Sequence, residues 1–268
     1  KFGSVEYIHL LAETLKLVFA DRFKYMGDPD FVDVPVDGLT SKEYGRHCCQ
    51  KIDLSMASAF EHDNPSAFAT ESKNTTHITV ADENGSIVSM TQTLNDAFGS
   101  RVTVPGTGVL LNNTMYNFDP HPGNANSIEP GKRVLSSMAP ITIFKEGKPF
   151  MSLGTPGARR IFPSVLQGII NVIDHNMSLQ EAVEAPRIWT QGQNLELEPD
   201  ISPDAVEPLK RKGHTIEAVD RVAGGMNGVL FDSNGSIHGA ACWRADGSPI
   251  ALSGGAATIK GSNPMFRV

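Results

Sequence analysis

The alternation of apolar and polar positions is strongest between Ser72 and Asn95, where SKNTTHITVADENGSIVSMTQTLN predicts a β-hairpin. The turn Asp82-Glu83-Asn84-Gly85 suits a three-residue loop with Gly85 in the left-handed conformation. With Asp82 paired to Ser86, Thr75 falls opposite Thr93, His77 opposite Thr91 and Thr79 opposite Ser89, whereas Ile78 faces Met90 and Val80 faces Val88. One face is apolar and the other hydroxyl-rich, and a slip of one residue would mix them. The plain reading is a half-buried hairpin with a solvated outer face. A chemical reading starts at Asn74-Thr75: a threonine opening a strand, with Thr93 opposite and the amide of Asn95 one step further, suits an N-terminal nucleophile. If the chain is cut before Thr75, the freed α-amine, of reference pKa about 7.7 to 8.0, can act as the base for the threonine's own hydroxyl.

Helical periodicity dominates upstream. Val5, Ile8, Leu11, Leu15, Val18 and Phe19 recur at spacings of three and four, predicting a helix to about Phe23 capped by Ser4 and burying that face. Gly27 to Asp30 turns the chain, Phe31 to Pro35 extends it, and Thr40 is expected to open a second helix reaching about Ile52. Residues 53–74 are polar and aperiodic and read as a mobile connector in which a cleavage site would be accessible.

Downstream of the hairpin, Gly108 to Asn113 reads as a short buried strand entering the polar turn NTMYNFDPHPGN. A further hairpin is predicted from Pro140–Phe144 and Pro149–Leu153 around Lys145 to Lys148. It leads through Gly154-Thr155-Pro156-Gly157-Ala158 into a helix ending near His175. Such a strand-to-helix turn presents backbone N–H groups without intrahelical partners, suited either to an oxyanion or simply to close packing. The spacing is not that of a phosphate loop. Short helices over 178–185 and 202–212, a strand near 215–219 and a last hairpin turning at Ser233-Asn234-Gly235 complete the pattern.

Composition narrows the function. The 268 residues, 40% hydrophobic and without a membrane-length apolar run, can bury one sizeable core. A net charge of -7 leaves no electrostatic footprint for nucleic acid. Cys48, Cys49 and Cys242 form neither a disulfide framework nor a CxxC pair, and the eight histidines lack metal-ligand spacing, so no metal and no cofactor are expected. The chain starts at a lysine and enters a helix almost at once, from which a missing N-terminal portion is expected.

Taken in order, ADRFKYMGDPDFVDVP, TTH…TQTLN, GVLLNN, GKRVLSSMAP and GTPGARRI resemble the motifs of the γ-glutamyltranspeptidase (glutathione hydrolase) family of N-terminal nucleophile hydrolases, over essentially the whole chain. The resemblance implies an α+β fold, a four-layer αββα sandwich with mainly antiparallel sheets. It also implies a precursor that cuts itself between Asn74 and Thr75. Residues 1–74 would then be the tail of a large subunit whose earlier part is absent, and residues 75–268 the small catalytic subunit, together one structural domain. Thr75 corresponds to the nucleophile and Thr93 to the second threonine beside it. Gly157 and Ala158 fall where two glycines supply oxyanion N–H groups, and Ala158 keeps its donor if the backbone needs no positive φ there. Asn95, Ser136 and Ser137 correspond to substrate-binding residues, the serines holding an α-carboxylate. Thr114 and Asn117 stand where the family carries an acidic or amide residue and an aspartate that grip the substrate's α-ammonium. Both are neutral here, and charge-assisted bonds are roughly twice as strong as neutral ones. The family's Asp-Pro-Arg near the C-terminus is replaced by Cys242-Trp243-Arg244.

The expected activity is transfer or hydrolysis of γ-glutamyl amides such as glutathione, with water or an amino acid as acceptor. The neutral Thr114 and Asn117 favour hydrolysis of a glutaryl-type or other small dicarboxylic monoamide, and a non-catalytic binding module is the third reading. Family members are periplasmic, secreted or cytoplasmic, so the compartment stays open.

Overall fold

The computed structural model describes residues 1–60 and 74–252. In chain order the first elements are helices α1 (Val5–Tyr25), α2 (Val36–Leu39) and α3 (Lys42–Cys49), then strands β1 (Asn74–Ala81) and β2 (Ile87–Asn95). Strands β3 (Ile141–Lys145) and β4 (Lys148–Gly154) lead into helices α4 (Ile161–Ile173) and α5 (Leu179–Glu184). Strands β5 (Ile188–Trp189) and β6 (Leu195–Leu197), helix α6 (Pro203–Arg211) and strands β7 (Ile216–Ala218), β8 (Asn227–Phe231) and β9 (Ile237–Ala241) follow. The fold is mixed α/β, with all strand pairs antiparallel among the described residues except β6 with β7. The chain divides into two compact units. One comprises Lys1–Thr70, Asn113–Ser136 and Ile188–Asp220, the other Glu71–Asn112, Ser137–Arg187 and Arg221–Val268.

The first unit is built on α1. Ser4 caps it, its hydroxyl accepting from the Tyr7 N–H at 3.2 Å. Ile8, Leu11, Ala12 and Leu15 pack with Ile188, Leu195, Leu197 and Leu209 into one core, and Phe19 meets Trp189 edge-on at 5.9 Å. The buried stripe differs from the predicted one. Val18 is exposed, whereas Glu13 and Lys16 are buried because they bond each other and Ser58, and His9 because it bonds the Asp53 carbonyl and His214. The helix expected from Thr40 to about Ile52 forms as α3, Lys42–Cys49, starting two residues later and ending three earlier than expected, and the short α2 before it was not expected. Thr40 closes α2, and the Ser41 hydroxyl, accepting from Tyr44 N–H at 3.0 Å, opens α3. Of the connector expected over 53–74, residues 61–73 lie outside the described residues. Its first part is tied down: Ser58 N–H donates to Glu13 and Ala57 N–H to the Lys212 carbonyl.

The second unit holds an antiparallel sheet in the order β3-β4-β8-β9. Both of the hairpins expected there form. Glu146 and Gly147 at the first turn adopt φ +53° and +75°, the mirror-image turn that matches strand twist. Met151 and Leu153 on β4 pack against Ile161 and Val165 of α4, with Val183 of α5 in the same core. Successive strand residues point to opposite faces, and Gly154 meets the β1–β2 hairpin, where a Cβ would overlap the His77 ring. The unit is thus layered as helices, four-stranded sheet and hairpin. By contrast, 108–113 is no buried strand: it makes only the bridge Thr103–Leu110, and Val109 is exposed, because its backbone spends its bonds in a local loop with 100–104.

The β1–β2 register is the predicted one at every pair from Thr75–Thr93 to Val80–Val88. The Asp82 carboxylate accepts from Asn84 N–H at 2.9 Å and Ser86 N–H at 2.8 Å, and the 232–236 loop repeats the device with Asp232. The expectation of a solvated polar face is reversed. The hydroxyl-rich face turns inward, with His77 only 5% exposed, while Ile78, Val80, Val88 and Met90 are 41–59% exposed. At His77 the inward polarity is tolerated because it is bonded, whereas the buried Ser89 hydroxyl makes no hydrogen bond among the described residues. His77 Nδ1 meets the Thr91 hydroxyl at 2.8 Å, its Nε2 meets the Thr79 hydroxyl at 2.9 Å, and its carbonyl accepts from Asn227 Nδ2 at 2.8 Å.

Burial pushes the His77 imidazole down to about 4. An unfolded histidine titrates near about 6.5, so the unfolded chain binds the extra proton first. Stability owed to neutral His77 is full above about pH 6.5 and is lost as pH falls towards about 4. Melting temperatures between pH 7 and pH 4.5 should therefore fall, and fall less in His77→Asn. An identical fall in both proteins would show that His77 does not contribute.

Candidate active site

The candidate nucleophile Thr75 stands at the start of β1. Asn74 pairs with Asn95 but Thr75 pairs with Thr93, so the register steps at this peptide and Leu94 is the extra residue of a bulge. Asn95 takes up the step with φ +72°, a conformation asparagine tolerates better than most residues. The step aims three groups at the Thr93 hydroxyl. It accepts from the Thr75 hydroxyl at 3.0 Å and from the Asn95 N–H at 2.8 Å, and it donates to the Asn74 carbonyl at 3.1 Å. A hydroxyl has one proton and two lone pairs, so this set uses all three. The carbonyl of the Asn74–Thr75 peptide is thereby polarised beside a threonine hydroxyl able to attack it.

The turn after β4 is held by Thr155, whose hydroxyl lies 3.0 Å from the carbonyls of Pro156 and Gly224, and by Gly224 N–H on Pro156 O at 2.8 Å. Gly157 has φ +140°, and a Cβ there would run into Ala223. Ala158 follows with φ +52° and opens a 3-10 turn, Ala158–Arg160, leading into α4. The backbone therefore does require a positive φ at Ala158. Its N–H is kept, but an L-residue in that conformation costs roughly 1–2 kcal/mol.

The substituted Cys242-Trp243-Arg244 lies behind this turn. The Arg187 guanidinium donates to the carbonyls of Val183, Val222 and Gly224 at 3.0–3.2 Å, and Arg244 to those of Val183 and Ala185 at 3.0–3.1 Å. Cys242 Sγ accepts from the Met226 N–H at 3.1 Å. Burial alone would raise its thiol, but the charges of Arg187 and Arg244 outweigh that and hold it below the ordinary value. The altered segment is thus scaffold for the 222–226 loop.

The remaining candidates belong to the first unit, Ser137 excepted, since the division between units falls between Ser136 and Ser137. Thr114 and Asn117 begin and end a 3-10 turn. The Asn117 carbonyl accepts from Asn126 Nδ2 at 2.8 Å, and Asn126 Oδ1 accepts from the Leu135 N–H at 3.0 Å. Buried Asp28 binds the Arg133 N–H at 2.7 Å and its Nε at 3.1 Å, and this N–H, helped by the guanidinium, holds the carboxyl below its usual range despite burial. Gly27 beside it passes so close to the Ala125 carbonyl that no Cβ fits. Two segments far apart in sequence, GDPD and GKRVLS, are thus bound together within the first unit, and the second of them carries Ser136.

Sequence reasoning missed Asp28–Arg133 as the support of the Ser136 segment and His77 as that of the hairpin carrying Thr75. Both stood within stretches already singled out, and His77 lies two residues from Thr75, hence on its face. The Gly157–Ala158 turn yields a direct test: Ala158→Gly should raise stability by about 1 kcal/mol, seen as a higher denaturation midpoint, because glycine removes the left-handed cost and keeps the N–H. A lower midpoint would mean the alanine methyl contributes packing that outweighs the strain.

Comparison with known proteins assigns the family. The sequence profile described as Gamma-glutamyltranspeptidase matches residues 1–252. The acylase ACY 1 proenzyme of Pseudomonas sp. (strain SE83) is 54% identical over 256 residues, covering 96% of this chain and 45% of that protein. The glutathione hydrolase proenzyme of Escherichia coli (strain K12) is 37% identical over 252 residues, covering 89% and 43%. The crystal structure of cephalosporin acylase from Bacillus halodurans superposes with a TM-score of 0.83 at 30% identity, covering 94% of this chain and 46% of that one. The chain therefore spans less than half the length of these relatives. It belongs to the gamma-glutamyltranspeptidase family of enzymes, within the N-terminal nucleophile hydrolases.

Proposed function

We propose that this chain carries the nucleophile and much of the acyl site of a self-cleaving threonine amidohydrolase. The observation that carries the reading is the Thr93 hydroxyl, bonded at once to the Thr75 hydroxyl and the Asn74 carbonyl. In self-cleavage Thr75 Oγ bonds to the Asn74 carbonyl carbon, the C–N bond breaks, and the hydroxyl proton ends on the released amine. Thr93 donates to the oxygen on which negative charge develops. Water then cleaves the ester, giving a carboxylate at Asn74 and a free amine on Thr75. In turnover that amine takes the Thr75 hydroxyl proton as Thr75 Oγ bonds to the substrate amide carbon, and the N–H groups of Gly157 and Ala158 receive the oxyanion. The C–N bond breaks as the proton passes to the leaving amine, and the acceptor then takes the acyl group from Thr75 Oγ, giving up its own proton to restore the hydroxyl. Residues 1–74 become the tail of a large subunit and 75–268 the small subunit, the two forming one structural domain.

The exposed apolar face of the β1–β2 hairpin supports a finer architecture. A layer of helices against Ile78, Val80, Val88 and Met90 would complete a four-layer αββα sandwich, with the rest of the longer protein as its source.

For the acyl group, neutral Thr114 and Asn117 favour a dicarboxylic monoamide without an α-ammonium, held through Asn95, Ser136 and Ser137. The relatedness to acylases supports this choice. A γ-glutamyl donor is the second reading, supported by the glutathione hydrolase relatives. The acceptor is water or an amino acid. Specificity constants for matched glutaryl and γ-glutamyl anilides, measured on the processed full-length protein, should favour glutaryl. The pair Thr114→Glu and Asn117→Asp should move the ratio towards γ-glutamyl by about tenfold, the worth of one charge-assisted bond over a neutral one. A wild-type preference for γ-glutamyl would reject the first acyl assignment in favour of the second.

A further inference from the structure

Helix α1 brings His9 and Glu13 onto one face a turn apart, and His214, in the chain between α6 and β7, meets them. All three are buried, at 1%, 0% and 6% exposure, and one ligating atom from each lies within 4.8 Å of the others. The protonation pattern is fixed by geometry. His9 Nε2 lies 2.8 Å from the Asp53 carbonyl, which can only accept, so Nε2 carries the proton and Nδ1 the lone pair. That lone pair faces His214 Nε2 at 2.7 Å. A carbonyl holding the far nitrogen of an imidazole while the near one stays available is the usual outer support of a ligating histidine. Glu13 is anchored as well, Oε2 by the Ser58 N–H at 2.9 Å and Oε1 by Lys16 Nζ at 2.6 Å, with lone pairs to spare on both oxygens.

We propose that His9, Glu13 and His214 form a binding site for a divalent transition metal of the zinc class. Two imidazoles and a carboxylate are a borderline donor set, with a fourth position open. Binding replaces the single proton shared between the two rings. Zinc–nitrogen bonds of about 2.0–2.1 Å at a tetrahedral angle place the nitrogens roughly 3.3 Å apart, so His214 draws back by about half an ångström and takes its proton on Nδ1. The Lys16 ammonium opposes the incoming charge and sets the affinity low. The site would staple α1, the chain at 53–58 and the turn after α6, all within the first unit. No sequence spacing announces it, because His9 and His214 stand 205 residues apart.

The test uses purified protein stripped with a chelator, then titrated with cobalt(II) and with zinc. Expected are one equivalent of cobalt with the visible bands of a tetrahedral nitrogen–oxygen site, displacement by zinc, and a zinc-dependent rise in melting temperature. His214→Gln should weaken binding by about 10- to 100-fold. Lys16→Met, which retains every ligand and removes the opposing charge, should tighten it. Wild-type and Lys16→Met proteins that both take up no cobalt would overturn the site, as would binding of equal strength in His214→Gln. None of these readouts depends on amidase activity, so they stand apart from the test of the proposed function.

Discussion

One hydroxyl group organises the start of the β1–β2 hairpin, and the proposed chemistry depends on it. Thr93 Oγ holds the Thr75 hydroxyl and the Asn74 carbonyl in hydrogen-bond contact with the same atom, and the Asn95 N–H fixes the hydroxyl from behind. Because its proton and both lone pairs are engaged, neither neighbour can shift without breaking a bond in a partly dry environment, where unmade bonds are costly. The β-bulge at Leu94 makes the arrangement possible. In a regular ladder Asn74 would pair with Leu94, and the Asn74 carbonyl would be spent on a backbone bond instead of a side-chain donor.

The hydroxyl can only be so exact if the hairpin carrying it is fixed, and His77 supplies the anchor. Its ring fills the space left by the missing side chain of Gly154 and its carbonyl is tied to Asn227, so β1 is held to β4 and β8. On the far side of β4, Met151 and Leu153 lock the same strand to α4. The turn at Gly157–Ala158 continues directly from β4, so the proposed oxyanion donors follow the same strand against which His77 fixes β1 and the proposed nucleophile Thr75. The strain at Ala158 is the cost of that turn in a chain that placed alanine where glycine would be relaxed.

Much of this was legible in the residues. The hairpin register followed from the alternation together with the Asp82–Gly85 loop, because the loop sets the phase and the two faces differ in chemistry. Which face turned inward was not legible: apolar residues ordinarily go inside, and only tertiary contacts with Gly154 and Asn227 reveal that the polar face is the bonded one. Helix α1 is legible in its period, but the period puts Val18 inside and says nothing of Glu13, because a sequence window does not show that Glu13 will meet Lys16 and Ser58. The buried strand expected at 108–113 failed for the related reason that an apolar run does not reveal whether a neighbouring strand exists to pair with it. The roles assigned to Thr75 and Thr93 came from motif order. Their mutual distance required the fold.

The central claim is that the Asn74–Thr75 peptide is the bond this arrangement breaks. It is tested most directly by intact mass spectrometry of the full-length precursor after incubation, with N-terminal sequencing of the smaller fragment. The structure predicts two chains whose masses sum to the precursor plus one water, the smaller beginning at Thr75. A precursor that keeps its full mass, or a fragment beginning at any other residue, would contradict it.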